Sequence, residues 1–276
     1  MDVFTATPCA GNGLAVVHDA DGMADEAMLA FARETRLSET TFVQAGGDGA
    51  DYRNRIFTTL REIPFAGHPS LGTAVAVARA AGHDRARFVQ RTGAGLQPVD
   101  VARVEGERWR ASMLQEPPEH GPELDPAEGM AALGLPASEA HPAWPPQVVS
   151  TGIPHVMLPL ARAEALEHCR PDLGRLQAIT AATGAVVLYA FALDEDGHPL
   201  IRGFFEDPMG VIEDPATGSA VGPLCAYLAE RAGLRAIRAR QGVHMGRPAL
   251  LEAELAADRV RVSGDVVVMF DGVLAG

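Results

Sequence analysis

Four polar residues of this chain have the types and settings that proton transfer needs: Glu39, His68, Asp214 and Ser219. Histidine has the side chain whose free pKa lies nearest neutrality, which suits a proton relay. Glu39 lies in Leu37-Ser38-Glu39-Thr40-Thr41-Phe42-Val43, where a helix runs out into a strand and the flanks are apolar or small. Partial desolvation raises a glutamate's pKa and makes it a usable acid or base. Asp214 stands before Pro215 in a turn, where an aspartate either caps the next helix or binds a partner, here His68 or the substrate. Ser219 has the same two readings, a helix cap or an anion ligand. By residue type alone a lone histidine is a structural one, and Glu39 is a solvated turn carboxylate. Their settings in the chain raise both above that reading.

For Glu39 the setting is its apolar or small flanks; for His68 it is one of two matching turns. Residues 62–69 read Glu-Ile-Pro-Phe-Ala-Gly-His-Pro, and residues 213–220 read Glu-Asp-Pro-Ala-Thr-Gly-Ser-Ala. Each opens an apolar, helix-like segment, and the segments align without a gap, Ala66–Gly82 over Thr217–Gly233. Gly67 then meets Gly218, Ala78 meets Ala229, Ala81 meets Ala232 and Gly82 meets Gly233, with His68 opposite Ser219. A helix N-terminus carries unsatisfied N–H groups and a partial positive charge, so it binds anions. Two such termini, one per half of a duplicated chain, predict a carboxylate-bearing substrate held between two lobes. Val75–Ala81 and Leu224–Ala232 are apolar on nearly every face, which marks buried helices. Strands flank both, so each is expected to lie within a curved or barrel-like sheet. Arg55-Ile56-Phe57 and Arg202-Gly203-Phe204 also echo one another ahead of the turns. With Glu62 and Glu213 they read as structural pairs of the duplication and as weaker site candidates.

The expected helices are Asp25–Thr35, His68–Ala81, Pro126–Leu133, Leu173–Ala182 and Ser219–Ala232, set among short strands. Residues 115–146 carry eight of the twenty prolines, a density that disfavours regular structure. The boundary is placed near its start, giving an N-terminal lobe 1–116 and a C-terminal lobe 117–265. Arg259–Val262 and Val266–Phe270 read as two separate strands, and the final segment, 266–276, is expected to pack at the lobe junction.

At 276 residues, 47% hydrophobic and 21% charged, the chain has the composition of a soluble globular protein. A net charge of −13 argues against nucleic acid or an anionic membrane as partner, though a local site can still attract a small anion. No signal peptide and no run of membrane-spanning length is read, and three widely spaced cysteines suit a reducing cytoplasm. Thr217-Gly218-Ser219-Ala220-Val221 lacks the flanking glycines of a nucleophile elbow, and Gly93-Ala94-Gly95 has no third glycine for a dinucleotide loop. The histidines show no paired helical spacing for zinc. The expectation is a site without metal or cofactor.

Met1-Asp2-Val3-Phe4-Thr5 with Gly11-Asn12, Leu37–Val43, Glu62–Thr73, Gly210–Pro223 and Gln241–Pro248 resemble, in order, the signature blocks of the PhzF-like (phenazine biosynthesis) family. The resemblance implies the diaminopimelate epimerase fold: α+β, two similar lobes, each a mostly antiparallel curved sheet around a central helix, with the active site in the cleft between them. Epimerases of that fold use two cysteines at the helix starts; here those turns carry Ala66 and Thr217, which argues against two-cysteine racemisation. The resemblance implies instead a proton-transferring isomerase with Glu39 as general acid/base. It places His68, Asp214 and Ser219 at the other polar positions. It further implies that Ser38 and the N–H groups after Gly67 and Gly218 help hold the substrate carboxylate, and that the protein forms a homodimer. Cys9-Ala10-Gly11-Asn12-Gly13 departs from the usual Phe-Arg-Gly-Asn-Pro, which leaves the substrate open. Two other readings stay open: an amino- or hydroxy-acid epimerase with Glu39 as one base, and a non-catalytic protein that binds small acids.

Overall fold

A computed structural model describes residues 1–207 and 210–274. It divides into two compact units, Met1–Met113 with the chain from Ser263 onward, and Leu114–Val262.

The first unit runs β1 (Asp2–Val3), β2 (Asn12–Val17), α1 (Asp25–Thr35), β3 (Glu39–Gly47), β4 (Ala50–Phe57), β5 (Glu62–Ile63), α2 (Gly67–Ala80), β6 (Arg85–Thr92), β7 (Gly95–Glu105) and β8 (Arg108–Leu114). Alternate residues of β8 are buried, the period expected of a strand with one wet face. Strand pairing runs β1–β2 antiparallel, β2–β3 parallel, β3–β4 antiparallel, β4–β6 parallel, then β6–β7 and β7–β8 antiparallel. A late strand, β17 (Arg259–Val267), pairs with β8 and, at Val266 and Val267, with β1. The eight pairings close a ring. Within it lies α2, touching β1, β2, β3, β4, β6 and β7. Leu71, Ala74, Val75 and Ala78 on this helix are fully buried. Each such leucine or valine contributes roughly 1.5–3 kcal/mol. A helix apolar on every face is stable only when enclosed, so the ring and the helix require each other.

The second unit opens with β9 (Glu119–Glu123) and α3 (Pro126–Ala132) and then repeats the same order. It runs β10 (Gln147–Ser150), β11 (Pro154–Pro159), α4 (Leu173–Thr183), β12 (Val187–Leu193), β13 (Pro199–Asp207), β14 (Gly210–Asp214), α5 (Gly218–Ala232), β15 (Ala236–Gln241) and β16 (Ala249–Ala256). Its pairings follow suit: β10–β11 antiparallel, β11–β12 parallel, β12–β13 and β13–β14 antiparallel, β13–β15 parallel, β15–β16 antiparallel. The central helix α5 touches β10, β11, β15 and β16. The duplication is therefore one of topology as well as sequence.

The arginine echo is a repeated ion pair. Arg55 forks onto Glu62 at 2.9 and 2.6 Å and lies 5.2 Å from the Phe57 ring centre. Arg202 forks onto Glu213, with one arm at 3.0 Å, and lies 5.0 Å from the Phe204 ring centre. Bidentate geometry of this kind fixes β5 against β4 and β14 against β13 just before each helix start.

Three expectations are corrected. Arg259–Val262 and Val266–Phe270 are not two strands: β17 continues through Ser263-Gly264-Asp265, where Arg110 on β8 bonds both Ser263 and Asp265. The proline-rich stretch holds a strand, β9, because a register shift opposite Val148 accommodates Gly121 and Pro122. The short strands β5 and β14 were read as turn. Residues 275 and 276 of the expected final segment lie outside the described residues. No helix among the described residues is long and apolar enough to cross a membrane.

Candidate active site

In the first unit the start of α2 is built without a side-chain cap. Ala66 is extended at the N-cap, and no acidic residue occupies the first turn. The N–H groups of Gly67 and His68 precede the first helical hydrogen bond, so they face outward to an acceptor. His68 is 4% exposed, and its Nε2 lies 3.4 Å from Oε2 of Glu39. Glu39 reaches this place because α1 ends at Thr35, Arg36 turns the chain in the left-handed region, and β3 begins at Glu39 in parallel register with Leu14 of β2. The Glu39 side chain is 17% exposed, with Oε2 buried.

Burial, acting against a weaker pull from the backbone of Gly13, pushes the His68 imidazole down to about 3. The ring is therefore neutral near pH 7, and its contact with Glu39 is that of a neutral ring nitrogen against a carboxyl group. On its other side, Nδ1 stands 3.2 Å from the Asn12 amide nitrogen, and Ser38 donates to Asn12 Oδ1 at 3.1 Å. Glu39, His68, Asn12 and Ser38 thus form one chain of polar contacts. Sequence reasoning found three of them; Asn12 was quoted only as part of a signature block.

The second unit sets the other two expected residues at the start of α5. Asp214 accepts from Thr217 Oγ1 at 2.7 Å, and Thr217 Oγ1 accepts from Gln241 Nε2 at 2.9 Å. The same Gln241 amide nitrogen donates to the Asp214 carbonyl, while its oxygen takes Tyr189 Oη and the Thr217 N–H. Thr217 is locked by these bonds. Gln115 donates to the Gly218 carbonyl at 2.8 Å and accepts from Thr151 Oγ1 at 2.6 Å. Gly222 leaves room for this amide: a Cβ there would stand 1.8 Å from Gln115 Oε1 and displace it. Gly218 is buried, and Ser219 is half-buried at the second helical position. Gln115, Thr151 and Tyr189 were missed, because each is brought to the helix from a distant strand or strand end and no local pattern marks it; Gln241, like Asn12, was quoted only as part of a signature block.

Strand register compares the two units residue by residue. Phe42 pairs with Arg55, and Ala190 pairs with Arg202, so Ala190 stands in the place of Phe42. Val187 then stands in the place of Glu39 and is buried. His155 likewise stands where the first unit has Leu14. Its ring is 1% exposed, lies against the backbone of Ser219, and is pushed down to about 3 by burial. One unit hangs its imidazole from the helix start, the other from the strand. Only the first unit pairs it with a carboxylate.

The cysteines are elsewhere. Burial pushes the Cys169 thiol up to about 11 and Cys225 up to about 12, and Cys9 lies in an exposed loop. A cavity of about 450 Å³ in the second unit is lined by Glu167, Cys169, Arg170, Glu213, His244 and the Arg202 side chain; none of the expected catalytic residues lines it. Among the described residues no three His, Cys, Asp or Glu side chains converge in a way that could hold a metal ion.

Known proteins resemble this chain in sequence and fold. A family model described as phenazine biosynthesis-like protein matches residues 1–272. A trans-2,3-dihydro-3-hydroxyanthranilate isomerase of Pseudomonas aeruginosa is 38% identical over 99% of this chain and 96% of its own. The solved structure of a predicted epimerase from the same organism is 36% identical, covers 100% of this chain and 98% of its own, and superposes with a TM-score of 0.86. A probable proline racemase from Agrobacterium radiobacter, 13% identical with a TM-score of 0.59 over 92% of this chain and 83% of its own, shares the fold.

Proposed function

Because the chain belongs to the phenazine biosynthesis-like family and is an isomerase, we propose that it moves a proton between carbons of a small carboxylate-bearing substrate, with Glu39 as the group that takes and returns it. The observation that supports this reading is the asymmetry of the repeat. Glu39 lies 3.4 Å from a buried, neutral His68 at a helix start, and its counterpart is Val187. A racemase that inverts a centre with two bases needs a titratable group on each side. Here the register position that matches Glu39 holds Val187, so the repeat supplies no second glutamate base, which favours removal and return by the same group over an epimerisation by a matched pair of bases.

The chemistry divides among named groups. Glu39 accepts the carbon-bound proton. His68 stays neutral and stabilises the Glu39 carboxylate before transfer. The N–H groups at the start of α2 bind the substrate carboxylate and disperse charge as an enolate-like state forms, which is electrostatic stabilisation by fixed dipoles. General acid–base catalysis supplies roughly 10²–10⁴-fold, so positioning and these dipoles supply the rest. Gly218, Ser219 and Asp214 are assigned to the same reaction on the likeness of the two helix starts and the family relation. The reaction is proposed to need neither metal nor cofactor, and the protein to work as a cytoplasmic homodimer.

The relatives' named activity gives the first substrate to test. Purified protein is incubated with trans-2,3-dihydro-3-hydroxyanthranilate and the ultraviolet spectrum is followed. Turnover with saturable kinetics is expected. A rise in melting temperature with that compound and with related acids, but no spectral change with any of them, would mean a binding protein and would overturn the reading.

A further inference from the structure

We propose that Asn12 sets the tautomer of His68, holding Nδ1 as an acceptor so that the ring's one proton sits on Nε2 and points at Glu39. Asn12 is a positioning residue: it acts through the imidazole. The tautomer itself follows from geometry. Only its kinetic consequence rests on the reading of Glu39 as the proton carrier.

A neutral imidazole has one donor nitrogen and one acceptor nitrogen, and its neighbours decide which is which. Asn12 is 2% exposed, with its amide nitrogen 3.2 Å from His68 Nδ1. An isolated amide could turn over and offer its oxygen instead. In the structure Ser38 donates to Asn12 Oδ1 and the NH₂ end faces the ring. The backbone is held as well: Asn12 pairs with Val3 of β1, and Gly11 before it has φ +60, with the Val3 carbonyl 2.3 Å from where a Cβ would be.

The far side of the ring favours the same answer, although its contact is longer than a hydrogen bond. Glu39 Oε2 is 3.4 Å from Nε2. An Nδ1–H tautomer would turn the Nε2 lone pair on the carboxylate, two acceptors facing each other in a site of low dielectric. The competing acceptor is the backbone of Gly13, which lies beside the ring and favours a protonated imidazole. For Nε2 to carry the proton, Asn12, a donor at Nδ1, and Glu39, an anionic acceptor facing Nε2, must together outweigh it.

The test is spectroscopic. Protein labelled with ¹⁵N-histidine is examined by two-bond ¹H–¹⁵N correlation at pH 7, with His68→Gln used to identify the His68 signals among the nine histidines. The expected pattern is a protonated Nε2 and an unprotonated Nδ1. Asn12→Asp presents oxygen only, so Nδ1 should become protonated. Turnover of a substrate should fall about tenfold or more, with KM changed less than about threefold, as expected when a catalytic ring takes the wrong tautomer. Ser38→Ala, which frees the amide to turn, is the second variant and should populate Nδ1–H in part. A wild-type spectrum showing Nδ1–H, or an Asn12→Asp spectrum in which Nδ1 stays unprotonated, would overturn the proposal. A tautomer that switches while turnover stays constant upholds Asn12's role and instead removes Glu39 and His68 from the reaction.

Discussion

Replacing Glu39 with glutamine lowers kcat by about two to four orders of magnitude and leaves KM within about threefold. The substitution keeps the length and shape of the side chain and its place at the head of β3. The amide oxygen of glutamine can still accept from His68 Nε2, so the contact now at 3.4 Å survives. What is lost is the capacity to hold a proton at ordinary pH. If that capacity acts only in the transition state, the loss appears in kcat and not in KM. Glu39→Asp is the graded control: it keeps the charge but withdraws it by one methylene, and misplacement of about 1 Å costs up to about 10²-fold. Steady-state kinetics on the three proteins check both. A variant whose KM rises while kcat holds would make Glu39 a binding residue.

The second large effect is on acid stability. His68 and His155 are each enclosed and each pushed down to about 3 by burial. In the unfolded chain a histidine titrates near 6.5. Between those values the unfolded state binds a proton that the native ring refuses, so the contribution to stability is fully present above about pH 6.5 and falls as pH drops towards 3. For each ring this amounts to about 2 kcal/mol between pH 7 and pH 5, from about 1.4 kcal/mol per pH unit. Together they remove a large part of the 5–15 kcal/mol typical of a folded protein. His155→Leu isolates half of the effect. His155 is 1% exposed, and its ring meets the backbone of Ser219 without a side-chain hydrogen bond. Stability at pH 7 should therefore change by less than about 1.5 kcal/mol, while the loss between pH 7 and pH 5 shrinks by about 2 kcal/mol. Urea unfolding at both pH values measures it. An unchanged loss would mean that His155 is protonated in the native state.

Particular residues show what the sequence could reveal. The Gly67 and Gly218 turns were legible because a helix start writes its signature locally, a small residue followed by an apolar run, and twice over in a duplicated chain. The echo of Arg55 and Arg202 was legible for the same reason, and the forked pairs with Glu62 and Glu213 explain it. Glu39 and His68 are 29 residues apart, and their types and flanks nominated them, but only the parallel register of β2 with β3 brings them to 3.4 Å. Asn12, Gln115, Thr151 and Gln241 were illegible as site residues because amides and hydroxyls on strands carry no local signal; their partners come from far along the chain. β9 was hidden because composition marks Pro122 as a breaker, whereas a register shift accommodates it.

One measurement tests the central claim, that Glu39 carries a proton between carbon atoms. Wild-type protein and Glu39→Gln are each mixed with trans-2,3-dihydro-3-hydroxyanthranilate in D₂O, and the carbon-bound hydrogens are followed by ¹H NMR. The account predicts deuterium at carbon in isomerised product from the wild type, with both isomerisation and exchange lost in Glu39→Gln although the ligand still binds. Equal exchange in the two proteins, or isomerisation that persists without Glu39, would contradict it.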